Sequence, residues 1–224
     1  MKYVIIIVVI VALALVGSLY LLNNNKKLAR RISDLEEHVN LLTQELEARV
    51  AAVSQEKEDE IARVKGTYDA LVADMKSEIE LGQIKITQLA DRLSVSMVDK
   101  ILFPSGEADV TPEGLKILDR VGQVLKNTQG KIIRVEGHTD NVPIHPRLQK
   151  KFATNWELST TRATNVVRFL QEKVGIKGTR LQVIGMSEYS PVASNAKETG
   201  RSQNRRIEIT LLPELAVEMP EPSK

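Results

Sequence analysis

An uncharged apolar run near the N-terminus constrains this chain more than any other feature of its 224 residues. The run extends from Val4 to Leu22 and contains no Asp, Glu, Lys or Arg. As a helix it would be about 28 Å long, which matches the hydrocarbon core of a bilayer. Because such a run cannot belong to a water-soluble core, we predict a transmembrane anchor over residues 1–22.

The alternative for this run is a cleavable signal peptide, which would release the remaining protein into the periplasm. A signal peptide has a shorter apolar stretch, a strongly basic start and small residues at its cleavage site. Here only Lys2 precedes the run, and the run ends in Tyr20-Leu21-Leu22-Asn23. These features favour an anchor, and the absence of Cys excludes a lipid-modified cysteine in its place.

The charges that flank the run predict an orientation that conflicts with the motifs described below. Lys26, Lys27, Arg30 and Arg31 follow the run, and basic residues usually stay in the cytoplasm. The motifs instead indicate a ligand found outside the inner membrane. We give the motifs precedence and expect a single-pass inner-membrane protein whose C-terminal part lies in the periplasm.

A repeat typical of a coiled coil follows the apolar run. Its apolar residues alternate in steps of four and three, and they are Leu28, Ile32, Leu35, Val39, Leu42 and Leu46. After a slip the repeat resumes at Ile61, Val64, Tyr68, Leu71 and Met75, and a second slip precedes Ile79, Ile86, Leu89 and Leu93. No Pro interrupts residues 23–93. We predict a coiled-coil stalk over residues 23–92 and a homodimer, with a solvated monomeric helix as the alternative.

Beyond the stalk, the spacing of apolar residues changes from a helical period to alternating strands and helices. Leu93, Val95 and Met97 alternate with polar residues, as in a half-buried strand. Thr111 and Pro112 are a typical helix start. Further strands are predicted at residues 132–135, 181–184 and 207–211, and helices at residues 112–127 and 156–174.

This alternation predicts an α/β fold, a two-layer α+β sandwich with the order β-α-β-α-β-β. The domain is expected to cover residues 93–212. The remaining residues, 213–224, are rich in Pro and Glu and are predicted to form a disordered tail.

Several sequence blocks in this domain occur together in a fixed order. They are Val135-Glu136-Gly137-His138-Thr139-Asp140-Asn141, Asn155-Trp156-Glu157-Leu158-Ser159 with Arg162-Ala163, Gly185 with Glu188 and Pro191, Gly200-Arg201, and Asn204-Arg205-Arg206-Ile207-Glu208-Ile209. Together they resemble the OmpA-like peptidoglycan-binding domain, over about half of the chain. The block that begins at Asn155 is most similar to the branch that includes the flagellar stator protein MotB. Where the family often has a second Gly after Gly185, this chain has Met186-Ser187.

The resemblance implies a ligand and a pair of residues that bind it. The family recognises the diaminopimelate of the stem peptide, which carries an ammonium and a carboxylate on one carbon, and the match places its ligand-binding residues at Asp140 and Arg162. A carboxylate suits the ammonium, and a planar guanidinium suits the carboxylate. In the alternative interpretation, Asp140 and Arg162 simply pair with each other.

Four further residues are candidates for contact with peptidoglycan. Phe103 and Ser105 are expected to line the pocket. Asn155 is expected to cap the second helix of the domain and to donate toward the ligand. Arg205 resembles part of the family's Asn-Arg-Arg block, and either ligand contact or a structural ion pair would explain it.

The function that we expect is a non-catalytic tether between a membrane and the cell wall, without a cofactor. One alternative is a flagellar stator subunit, but a proton path requires a carboxylate inside the membrane and residues 4–22 contain none. Another alternative is an envelope scaffold that recruits a partner protein through the coiled coil. Both alternatives keep the same wall-binding domain.

Other classes of function lack the residues that they require. Nucleic-acid binding is not expected, since the net charge is only +2 and 4% of the residues are aromatic. His138, Asp140 and His145 are close in sequence, but their spacing is unusual for a zinc site. No Gly-x-Ser-x-Gly motif or phosphate-binding loop is present, so we predict no catalytic residues.

Overall fold

The computed structural model describes the backbone of residues 2–214 and the side chains of residues 7 and 13–214. The chain divides into two compact units, residues 1–58 and residues 59–224. Helix α1, Lys2–Asp74, forms the described part of the first unit and contributes the first residues of the second.

Both ends of the chain carry predictions that the described residues cover only in part. Within the part of the chain that the structure describes, no helix is long and apolar enough to span a bilayer. Much of the predicted anchor at residues 1–22 lies outside the described side chains, and most of the predicted tail at residues 213–224 lies outside the described backbone.

The second unit contains a mixed sheet and several short helices besides the end of α1. The strands β1 to β5 are Ile84–Leu89, Arg92–Val98, Lys131–His138, Leu181–Ser187 and Arg206–Pro213. The helices α2 to α6 are Lys76–Glu80, Asp99–Leu102, Pro112–Lys126, Asn155–Phe169 and Glu198–Asn204. A π-helical turn, Leu170–Val174, extends α5, and short 3-10 helices lie at Pro146–Leu148 and Gly178–Arg180.

The strands have the spatial order β1-β2-β5-β3-β4. Neighbours β3 and β4 are parallel, and the other neighbours are antiparallel. The predicted α/β character is therefore confirmed. The start of α4 is confirmed as well, because the Thr111 hydroxyl accepts a hydrogen bond from the Gly114 N–H at 2.9 Å and Pro112 is the first helical residue.

The prediction of a helix up to residue 92 is wrong for its last part. Helix α2 ends at Glu80, and Gly82 adopts the left-handed region with φ +67°, a conformation that stops a helix. Ile84 and Ile86 then pair with β2 as strand residues. Strand β1 therefore adds one strand to the predicted order.

The last turns of α1 also differ from the predicted stalk. Val64 and Leu71, together with Met75 directly after α1, belong to the hydrophobic core of the second unit, and Tyr68 packs against it. This face of the helix is covered by the same chain. The prediction of an intermolecular seam is therefore wrong for this stretch of the repeat.

Candidate functional site

The candidate site lies at the edge of the sheet where β2 and β3 end and β5 begins. Arg206, the first residue of β5, is paired with Val98 on β2 and with His138 on β3. Residues that lie just outside these pairs therefore meet at one edge. The charged residues among them are Asp99, Asp140 and Arg205.

Arg162 projects from α5 into this group and is buried. Its Nη1 donates to Asp99 Oδ2 at 2.6 Å, and its Nε donates to the Glu107 carbonyl at 2.8 Å. The Phe103 ring lies against the guanidinium, 4.9 Å from its central carbon. The remaining nitrogen, Nη2, has no hydrogen-bond partner among the described residues and is not fully buried.

Burial has an electrostatic effect on Arg162. It lowers the pKa of the guanidinium from its ordinary value, and the Asp99 carboxylate counteracts only part of this effect. An arginine nevertheless stays charged near neutral pH. The site therefore holds a fixed cation whose unpaired nitrogen is available for an anionic group.

Asp140 is also buried, and its two oxygens have different partners. Oδ1 accepts from the Val142 N–H at 3.0 Å, and Oδ2 accepts from Arg205 Nη1. Arg205 Nη2 donates in turn to Glu198 Oε1 at 2.5 Å. Burial alone would lower the pKa of Arg205, but the hydrogen bonds to Glu198 and Asp140 outweigh burial and raise it.

Asp140 and Arg162 thus bond to different partners, so they do not neutralise each other as a closed pair. The two halves of the site are joined through the backbone, because the Asp99 N–H donates to the Arg205 carbonyl at 3.0 Å. The structural ion pair predicted as one role of Arg205 is present, and its partner is Asp140.

The predicted capping role of Asn155 is wrong. The N-cap of α5 is Thr154, whose hydroxyl accepts from the Trp156 N–H at 3.1 Å. The Glu157 carboxylate accepts in return from the Thr154 N–H at 2.7 Å, which completes a capping box. The local signal, a Thr followed three residues later by a Glu, is visible in the sequence.

Asn155 is instead a buried connector behind Asp140. Its Nδ2 donates to the carbonyls of Asp140 and Val142 at 3.3 and 3.2 Å, and to Glu188 Oε2 at 2.9 Å. These bonds hold the loop after β3 against the loop after β4. Asn155 therefore fixes the backbone that presents the Asp140 carboxylate.

Two glycines allow α5 to approach the sheet closely enough to carry Arg162 to its edge. A Cβ at Gly137 would lie 2.1 Å from the Ser159 carbonyl oxygen, and a Cβ at Gly185 would lie 1.9 Å from the Thr160 hydroxyl. This chain has Met186-Ser187 where the family often has a second Gly, and Ser187 adopts the left-handed region with φ +51°. Its N–H donates to the Ser159 hydroxyl at 3.1 Å.

The structure brings five of the six predicted site residues together, namely Phe103, Asp140, Asn155, Arg162 and Arg205. Ser105 lies exposed on the loop between α3 and α4, beside the buried Phe103. Asp99 and Glu198 were not predicted, and Glu188 was identified only as part of a family block, without a role. Asp99 directly follows a strand, which is a detectable signal, whereas nothing local marks Glu188 or Glu198 as partners of Asn155 and Arg205.

Comparisons of this chain with known proteins all indicate the same family. Residues 102–205 match the OmpA family. Motility protein B of Bacillus subtilis is 35% identical over 155 residues, which covers 69% of this chain and 57% of that protein. The peptidoglycan-binding protein ArfA of Mycobacterium tuberculosis is 32% identical over 111 residues, which covers 50% of this chain and 32% of that protein.

A solved structure extends the comparison to three dimensions. The cell wall anchor of the T6SS from Pseudomonas aeruginosa has a TM-score of 0.58 and 34% sequence identity to this chain. The match covers 64% of this chain and 97% of that one. In contrast, the chain spans less than two thirds of the length of the two curated relatives.

Proposed function

We propose that this protein is a non-catalytic cell-envelope protein that binds peptidoglycan, because residues 102–205 form an OmpA family domain. The names of two similar proteins, a peptidoglycan-binding protein and a cell wall anchor, support the proposal. The observation that carries it is the arrangement of a buried carboxylate, Asp140, and a buried guanidinium, Arg162, at one edge of the sheet with separate partners.

The proposed ligand is the diaminopimelate of the stem peptide. One carbon of this residue carries both an ammonium and a carboxylate, so recognition requires a fixed anion and a fixed cation close together. Asp140 would accept from the ammonium, and Nη2 of Arg162 would donate to the carboxylate. Asp99 and Phe103 support this role because they hold the guanidinium in one orientation.

Arg205 has a second role in this proposal, as the group that occupies Asp140 when no ligand is bound. A carboxylate can accept more than two hydrogen bonds, so the ligand ammonium can join Arg205 or displace it. Glu198 would keep Arg205 paired after displacement. Glu198 and Arg205 line an open groove of about 1140 Å³. Ser105, which is exposed on the loop before α4, is a further proposed contact with peptidoglycan.

We further propose that helix α1 links this domain to the inner membrane and that the domain lies in the periplasm. The apolar run at residues 4–22 would be the anchor. The repeat in residues 28–46 would pair with a second copy of the chain, because its apolar side chains are exposed in the described part of the chain and have the spacing of a coiled-coil seam. The similarity to Motility protein B keeps a stator subunit as the alternative.

Sedimentation with insoluble cell-wall sacculi tests the binding proposal. The second unit, residues 59–224, is the appropriate protein because it keeps β1 and the core residues of α1. We expect Asp140→Asn and Arg162→Ala to weaken binding by roughly 30-fold to several thousandfold, since each leaves one ligand charge without a partner. Wild type should also prefer diaminopimelate peptides over lysine peptides, and Arg162→Ala should remove this preference.

Two variants match these charge changes away from the site. Arg168→Ala removes an exposed arginine from the same helix, and Asp109→Asn neutralises an exposed aspartate. Both should bind sacculi as wild type does. If Asp140→Asn and Arg162→Ala are folded by circular dichroism and still sediment like wild type, the assignment of the ligand pair is wrong.

A further inference from the structure

An exposed pair of aromatic side chains lies next to the candidate site and has no role in the binding of diaminopimelate described above. The rings of Trp156 and Tyr189 are stacked, with centroids 5.5 Å apart and an angle of 28° between their planes. Trp156 is 47% exposed and Tyr189 is 69% exposed. Stacking covers one face of each ring, and a large part of both side chains remains exposed to solvent.

This aromatic pair is held in place by the same hydrogen bonds that shape the candidate site. Trp156 and Tyr189 each directly follow one partner of the bond between Asn155 Nδ2 and Glu188 Oε2, which is 2.9 Å long. The Trp156 N–H is also bonded to the Thr154 hydroxyl within the capping box. The pair is consequently preorganised, and a ligand that covers it would order few additional side chains.

We propose that Trp156 and Tyr189 form a subsite for a sugar ring of the glycan strand that carries the stem peptide. One face of a hexopyranose presents C–H groups that stack on aromatic rings, while its hydroxyls stay in water at the edges. Trp and Tyr provide large, rigid contact surfaces at a low cost in conformational entropy. The inference rests on the proposed function, because it places the sugar beside a stem peptide bound at Asp140 and Arg162.

The spacing within α5 supports a sugar as the occupant. Asn155 and Arg162 are seven residues apart and lie on the same face of the helix, about 10 Å apart along its axis. Asn155 contacts the Asp140 backbone at the first turn of α5. Trp156 follows Asn155 directly, so it lies at the Asp140 end of the site, away from Arg162. In peptidoglycan two residues separate diaminopimelate from the muramic acid, and they span more than about 7 Å when extended, because the second is linked through its side-chain carboxylate. A sugar bonded to that peptide can therefore reach the aromatic pair.

Calorimetric titration of the full chain with three probes tests this subsite. The probes are the free diaminopimelate tripeptide, the same peptide linked to its N-acetylglucosamine–N-acetylmuramic acid disaccharide, and the disaccharide alone. We expect Trp156→Ala and Tyr189→Ala each to weaken binding of the disaccharide-linked peptide by about five- to tenfold. Binding of the free peptide should stay within about twofold of wild type, since that probe lacks the stacked ring.

The controls separate failure of the subsite from failure of the proposed function. Leu89→Ala removes an exposed apolar side chain from β1 and should change neither affinity. If Asp140→Asn weakens both peptides but the aromatic variants bind both like wild type, the sugar subsite alone is wrong. Equal losses on both peptides would also overturn it, because they would indicate an effect transmitted through Asn155. If Trp156→Ala is misfolded by circular dichroism, the more exposed Tyr189→Ala decides the outcome.

Discussion

Helix α1 has the same apolar spacing in both units of the chain, but the two stretches have opposite environments. In the first unit, Leu35 and Leu42 are each 64% exposed. In the second unit, Leu71 and Met75 are 0% exposed. A heptad-like repeat therefore predicts a face that must be buried but does not identify what buries it.

The second unit covers its stretch of the repeat with its own sheet and helices. Besides the apolar contacts, Lys131 Nζ donates to Glu60 Oε1 at 2.5 Å, and Arg120 Nε donates to Asp74 Oδ2 at 3.2 Å. Lys131 is buried, whereas Arg120 and Asp74 are partly exposed. In this unit α1 is therefore a structural part of the domain. The apolar residues of the repeat in the first unit are exposed.

Leu42→Asp should have the largest effect, and the effect should be on self-association. If a second copy covers this repeat, each dimer would bury two carboxylates, which weakens the dimer by about 4 kcal/mol, or roughly 1000-fold in Kd. Analytical ultracentrifugation of the chain without residues 1–22 measures this change. Leu41→Asp is the control, because Leu41 is equally apolar and exposed but lies outside the repeat. A wild-type monomer at high micromolar concentration would contradict the dimer.

Leu71→Ala should reduce the stability of the folded second unit. Removing a fully buried leucine leaves a cavity, and we expect the free energy of unfolding to fall by about 3 kcal/mol. Urea denaturation followed by Trp156 fluorescence measures the loss. Leu42→Ala, in the first unit, should leave this transition unchanged. Equal sensitivity of the transition to both substitutions would remove the distinction between the two stretches.

Breaking an ion pair should also cost more stability in the second unit than in the first, but both losses should be smaller than that for Leu71→Ala. Lys131→Met breaks a largely buried pair and should cost about 2 kcal/mol, because Glu60 keeps some access to water. Arg49→Ala breaks an exposed pair with Glu45 and should cost less than about 0.5 kcal/mol. Thermal unfolding monitored by circular dichroism compares them. A larger loss for Arg49→Ala would show that the first unit is more tightly packed than its exposure indicates.

Much of the domain could be predicted because its signals are local. Thr111 and Pro112 define the start of α4 through contacts within four residues. Leu93, Val95 and Met97 alternate as the inward face of β2, and all three are buried. The sequence does not identify the segment at Ile84 and Ile86 as a strand, because its apolar residues fit either a continued helical repeat or a strand.

The candidate site shows the same division between local and long-range information. Motifs predict Asp140 and Arg162 as the ligand pair, and local patterns place the first after a strand and the second within a helix. The hydrogen bonds from Arg162 to Asp99 and from Arg205 to Asp140 join residues 63 and 65 positions apart, so they are defined only in the folded domain. The physical reason is that periodicity and capping depend on neighbours along the chain. The partner of a buried charge depends on which strand ends the sheet brings together.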